Sequence, residues 1–305
     1  MLTIEGFEII QQRAPIVALT LAALLLTTSA SSRADILYVS NWGNNTIEQF
    51  TPQGVGSVFA NTGLDQPGGL AFDTTGNLYV ANYGDNTIEK FTPGGVGSVF
   101  ATAGLSSPYG LAFDTAGNLY VANYGNNTIE KFTPGGVGSV FATTGLSSPY
   151  GLAFDTAGNL YVANYGDGII EEFTPGGVGS VFANEGGTPH ALAFDSSGNL
   201  YVSEEQNGLL EYTPQGVGHV YAKNVTFNPD GLAFDRAGNL YVACVGDAAI
   251  LKFTPQGNSS AFVAPLNSPL SAPTFIAFQP VPEPSTWAMV GVGLSALLVF
   301  RRRKA

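Results

Sequence analysis

Five residues interrupt an otherwise near-verbatim repeat: His190, Glu204, Glu205, Asp230 and Cys244. His190, Glu204 and Asp230 are of the types that ligate a divalent cation. A second set recurs with the repeat. Asn41, Asn82, Asn123 and Asn164 are each followed by an aromatic residue, Trp42, Tyr83, Tyr124 and Tyr165, and Tyr109 and Tyr150 fall on the same rim. Aromatic faces pack against sugar C–H groups, while amides donate and accept hydrogen bonds at once, so this set could bind carbohydrate. The same residues have a structural reading, with each Asn closing a turn and each Tyr packing between repeats. Asp73, Asp114, Asp155, Asp195 and Asp235 each open one Asp-x-x-Gly-Asn turn, where backbone capping accounts for the carboxylate. His219 falls in an outer strand and reads as structural.

The elements that position these residues follow from the period. Leu-Ala-Phe-Asp recurs at spacings of 41, 41, 40 and 40 residues, ending at Asp73, Asp114, Asp155, Asp195 and Asp235. Within one unit, Leu70–Phe72, Leu78–Ala81, Thr87–Phe91 and Ser98–Ala101 are short β-type runs between turn formers. Four antiparallel strands in a unit of this size describe a β-propeller blade. The first unit begins at Leu37-Tyr38-Val39 without an innermost strand, and Pro273–Phe278 matches the strand it lacks. The expected fold is therefore all-β, a six-bladed β-propeller over 35–280 closed by a blade shared between the two ends. The loop before each inner strand and the loop after each second strand then open on one face, around the channel mouth.

The chain has 305 residues, with 39 Gly and only 11% charged residues. A coiled coil needs more charge, and glycine shows no three-residue period, which excludes collagen. The net charge is −12, but residues 35–280 hold 5 basic and 20 acidic side chains, hence −15. Such a surface repels phosphate backbones, so no nucleic-acid partner is expected. A single cysteine excludes an intrachain disulfide framework.

The run Pro-x-Gly-Leu-Ala-Phe-Asp, then Gly-Asn-Leu-Tyr-Val-Ala-Asn, then Asn-Thr-Ile-Glu-Lys-Phe resembles the NHL repeat and the related gluconolactonase-like propellers. Many NHL repeats carry Arg where this chain has Thr46, Thr87 and Thr128, which weighs against the RNA-binding branch. The gluconolactonase-like resemblance implies a metal-assisted site at the mouth. Carried over by ring position, Glu204 would be its carboxylate ligand, Asn123 and Asn164 its amide ligands, and Asp230 its base; His190 is a further catalytic candidate.

Both ends read as addresses. Pro15–Thr27 is an apolar run after Arg13, followed by small residues with cleavage after Ala30 or Ala34, so 1–34 reads as a signal peptide. At the other end, Pro282-Glu283-Pro284 precedes an apolar stretch, Trp287–Phe300, and then Arg301-Arg302-Arg303-Lys304. Residues 281–305 thus resemble the PEP-CTERM sorting signal of Gram-negative bacteria, with a short hydrophobic helix. That resemblance implies recognition by an exosortase, transient inner-membrane anchoring, and delivery to the cell surface or extracellular matrix. Near-identical blades favour a non-enzymatic binding or scaffold protein, with a matrix polysaccharide or a surface protein as partner. The alternative is a metal-dependent lactonase or lyase using a divalent cation.

Overall fold

The structure, a computed structural model, describes residues 35–280 apart from 185, 206–207, 223–224, 226–227 and 266–267. The expected signal peptide (1–34) and the sorting tail with its short helix (281–305) lie outside the described residues. Among the described residues every regular element is a strand. They form six antiparallel four-stranded sheets, the blades of a six-bladed β-propeller: blade 1 (37–60 with 273–278), blade 2 (67–101), blade 3 (108–142), blade 4 (149–184), blade 5 (189–222) and blade 6 (229–263).

Blade 2 shows the plan: an inner strand Pro67–Phe72, a second strand Leu78–Asn82, a third strand Thr87–Phe91 and an outer strand Gly97–Ala101. Burial falls outward from the axis. Leu78–Asn82 is buried throughout, whereas only Ala101 of the outer strand is. The second strand is hydrophobic on both faces because each face meets a neighbouring blade. One aromatic trio repeats at every junction. Tyr79 sits edge-on to Phe100 of its own outer strand at 4.9 Å and to Phe113 of the next inner strand at 5.0 Å. Tyr38, Tyr120, Tyr161, Tyr201 and Tyr241 make the same pair of edge contacts. Such geometry adds about 0.5–1.5 kcal/mol per pair beyond the area buried.

Blade 1 closes the ring as the sequence predicts. Pro273–Phe278 pairs antiparallel with Leu37–Asn41 in the register Leu37↔Phe278, Tyr38↔Ala277 and Val39↔Ile276. Ser40 Oγ adds a bond with Thr274 Oγ1 at 3.0 Å and accepts from the Phe275 amide at 2.9 Å.

The repeated Asp turns cap backbone. Asp73 Oδ1 accepts the Thr75 and Asn77 amides at 2.9 Å each, and Oδ2 accepts Asn77 Nδ2 at 2.7 Å. Gly76 supplies the left-handed φ of 84° that the turn requires. Burial works against ionisation of Asp73, but the Asn77 and Thr75 hydrogen bonds outweigh it and hold the carboxyl below its usual range.

Adjacent inner strands approach so closely that a Cβ at Gly110 would collide with the Tyr150 carbonyl. Gly110→Ala is expected to destabilise the propeller by about 1–3 kcal/mol through overpacking, read as a lower urea midpoint at unchanged slope. An unchanged midpoint would show that the inner strands have room to spare.

Candidate functional site at the channel mouth

The mouth is built in two aromatic layers. The upper layer comes from the turns that follow the second strands of blades 1 to 4. Trp42, Tyr83, Tyr124 and Tyr165 are half-buried, and their consecutive ring centroids lie 5.0, 6.3 and 6.2 Å apart. They form a continuous arc around two-thirds of the rim. The turns beyond them put Asn44, Asp85, Asn126 and Asp167 in solvent.

The lower layer comes from the inner strands and fills the channel. Tyr109 and Tyr150 lie 4.0 Å apart, and Phe275 is 5.7 and 5.8 Å from them. His190 stacks on Tyr150 at 5.0 Å. Tyr109 also stacks on Trp42 at 5.7 Å and Tyr150 on Tyr165 at 5.9 Å, which locks the layers together. Tyr109 and Tyr150, expected on the binding face, are buried and serve as its floor.

Asp230 packs into the same layer, 3% exposed. Its Oδ2 accepts the Tyr150 hydroxyl at 2.8 Å, and its Oδ1 lies 3.7 Å from His190 Nδ1. Ser203 holds the strand in place, accepting the Ala191 amide at 2.9 Å and donating to the Asp230 carbonyl. Burial pushes the Asp230 carboxyl up to about 8, against the Tyr150 hydrogen bond, which lowers it. Burial also lowers His190, with Glu205 opposing. Both shifts work against an ion pair, so at neutral pH the pair is a carboxylic acid beside a neutral imidazole.

The asparagines face elsewhere. All four are fully buried at strand ends. Asn123 Nδ2 donates to the Gly104 carbonyl at 2.8 Å and to Thr128 Oγ1 at 3.0 Å, and its Oδ1 accepts the Ser106 amide at 3.1 Å. Asn82 is held the same way, by Gly63, Thr87 and Asp65. Asn164 bonds the Gly145 carbonyl and the Ser147 amide, and Asn41 bonds Thr46 and the Ser271 amide. The amides therefore tie each blade to the loop before it, and the carbohydrate expectation loses its amide half.

The expected metal set is not brought together either. His190 and Asp230 meet, but Glu204 is buried against Gly187, where a Cβ would strike its Oε1. Asn123 and Asn164 already use their oxygens. Among the described residues, no three His, Cys, Asp or Glu side chains are grouped to hold a metal ion. Cys244 is buried, and burial, with Asp247 adding, pushes its thiol up to about 12, which makes it unreactive. His219 lies on an outer strand, its Nε2 3.2 Å from Glu211 Oε2. Phe275 went unnoticed in the sequence, yet it stands where the sibling blades have Gly69, Gly110, Gly151, Ala191 and Gly231.

Residues 280–304 match the PEP-CTERM protein-sorting motif. The chain is an exported protein carrying an exosortase recognition signal. Comparison with curated proteins finds no match. Among solved structures, a chain of a nidogen/laminin complex is 20% identical, with a TM-score of 0.72 over 82% of this chain and 99% of that one. Virginiamycin B lyase from Staphylococcus aureus is 18% identical, with a TM-score of 0.58 over 68% of this chain and 73% of the lyase. A protein ascribed to the gluconolactonases is 21% identical, with a TM-score of 0.58 over 69% and 81% of the two chains. At these identities the likeness is one of fold, and that fold is shared by binding proteins and enzymes alike.

Proposed function

We propose that this PEP-CTERM protein is a non-enzymatic binding module of the cell surface or extracellular matrix, taking a carbohydrate chain at the channel mouth. The arc of Trp42, Tyr83, Tyr124 and Tyr165 carries the reading. It presents half-exposed rings in succession, inclined at 52°, 60° and 56° to one another, over a plugged channel, a shallow surface of separate ring faces rather than a deep pocket for chemistry. The exposed Asn44, Asp85, Asn126 and Asp167 add hydrogen-bonding groups around it. The sorting signal supports a ligand outside the cell. A glycan array probed with the purified protein tests this. Selective binding that falls at least tenfold in Tyr124→Ala/Tyr165→Ala is expected. No bound glycan, or undiminished binding by the double variant, refutes the carbohydrate reading.

A second reading, a lactonase or lyase, rests on the His190–Asp230 pair. A histidine replacement inactivates the S. aureus lyase. The pair here is buried against Tyr150, which bonds Asp230 and stacks on His190, so a substrate has little access to it. Turnover of a lactone or cyclic depsipeptide, lost in both His190→Ala and Asp230→Asn, would favour this reading over the first.

A further inference from the structure

The opposite face carries a second feature, visible by comparing the blades with one another. In blades 2, 3 and 6 the third strand places a lysine over the junction tyrosine. Lys90, Lys131 and Lys252 lie 5.1, 5.0 and 5.1 Å from the ring centroids of Tyr79, Tyr120 and Tyr241. Each ammonium also reaches the turn aspartate, with Lys90–Asp73 at 4.0 Å, Lys131–Asp114 at 3.7 Å and Lys252–Asp235 at 3.9 Å. The junction tyrosine and turn aspartate thus make an ammonium seat, used three times over.

Blade 4 keeps the seat and reverses the charge of its occupant. Tyr161 and Asp155 are in place, but the lysine position is Glu172, which pairs with Tyr161 across the strands. In blade 5 the equivalent Glu211 has His219 at 3.2 Å. Glu172 has no such neighbour among the described residues that line its cavity.

Two neighbouring cavities share Thr115, Phe154 and Asp155 in their walls. Between blades 3 and 4 the cavity beside Lys131 and Asp114 is about 250 Å³. The cavity beside Glu172 is about 860 Å³; it spans the junction of blades 4 and 5 and reaches Thr115 in the turn of blade 3. It is lined by Asp155, Glu172 and Asp195 with Tyr161, Phe182 and Phe194, and no Lys, Arg or His side chain lines it among the described residues. Three acidic residues thus line one aromatic-walled space, Asp155 and Asp195 while capping their turns, and one junction earlier such a space contains an ammonium.

We propose that the cavity between blades 4 and 5 binds a linear polyamine, with its ammonium groups on Asp155, Glu172 and Asp195 and its methylene chain along the aromatic wall. The sibling blades support an alkylammonium over a bare metal ion, because there the same seat holds an ammonium between its carboxylate and the face of its ring. Three acidic groups favour a ligand with more than one positive charge over a single lysine side chain.

Calorimetric titration of the full chain with spermidine tests the proposal. One site is expected, weakening with salt and at least tenfold weaker in Glu172→Lys. That variant rebuilds the arrangement of blades 2, 3 and 6, so folding should not confound the result, and circular dichroism checks it. The converse change, Lys131→Glu, is expected to raise the stoichiometry from one to two. Spermidine binding that Glu172→Lys leaves intact overturns the proposal, as does no binding at millimolar spermidine. A tri-lysine peptide that binds where spermidine does not overturns the polyamine in favour of a protein partner. Calcium that binds this site in place of spermidine, and is lost in Glu172→Lys, overturns it in favour of a metal ion.

Discussion

A chain lacking the strand Pro273–Phe278 is expected to lose cooperative unfolding altogether. The strand supplies the inner edge of blade 1, and without it Leu37–Asn41 is an open edge with its buried face exposed. Phe278 also completes the edge-on sandwich around Tyr241, and Phe275 fills the channel against Tyr109 and Tyr150. Fully burying a large apolar side chain contributes about 1.5–3 kcal/mol, an upper bound for the half-buried Phe275 and Phe278. Losing Phe275, Ile276 and Phe278 together with the ladder therefore approaches a typical whole-domain stability of about 5–15 kcal/mol. Urea unfolding followed by far-ultraviolet circular dichroism measures this. A single sharp transition at the full-length midpoint would mean that closure contributes little.

The second large effect is in pH. In the folded state Asp230 holds its proton up to about pH 8 because burial opposes ionisation, whereas in the unfolded chain it ionises near the ordinary aspartate value of 3.8. Between these limits the folded state binds the extra proton, so this group makes stability fall as pH rises. The slope is about 1.4 kcal/mol per pH unit, vanishing above the folded pKa. The groups around it are Tyr150 on its Oδ2, His190 beside Oδ1 and Tyr109 across the stack, with Glu205 near the imidazole. Other buried carboxyls, Glu48, Glu89, Glu130 and Glu171, are raised by burial too, so the wild-type slope alone does not isolate Asp230. Asp230→Asn keeps an acceptor for Tyr150 and removes the proton. The wild type is expected to lose stability relative to Asp230→Asn as pH rises from 5 to 8. A difference that stays constant across that range would contradict the assignment of a neutral, buried acid.

The architecture was legible because the sequence repeats it. The Leu-Ala-Phe-Asp spacing marks the blades, and the match of Pro273–Phe278 to Pro149–Phe154 marks the closure. The Asp-x-x-Gly-Asn turns cap backbone as their composition requires. The site was less legible, because equivalence around a ring does not settle the direction of a side chain. His190 and Asp230 start inner strands, so they converge on the axis. Glu204 ends a second strand, so it turns into its blade toward Gly187. The asparagines share that strand end, and their partners are loop carbonyls nearly twenty residues back, which nothing in the local sequence announces. Two departures from the repeat could have been read earlier: Phe275 in a glycine position and Glu172 in a lysine position. Each breaks the pattern at one residue, and each changes the cavity around it.

The aromatic arc is the centre of the functional account, and the protein carries a reporter in it. The chain has two tryptophans, Trp42 at the mouth and Trp287 in the sorting tail. In a Trp287→Phe background, emission comes from Trp42 alone. Titration with the glycan selected on the array is expected to shift or quench that emission in a saturable way, with the midpoint moved at least tenfold in Tyr124→Ala/Tyr165→Ala. Saturable binding that leaves Trp42 emission unchanged would place the ligand elsewhere and contradict the account.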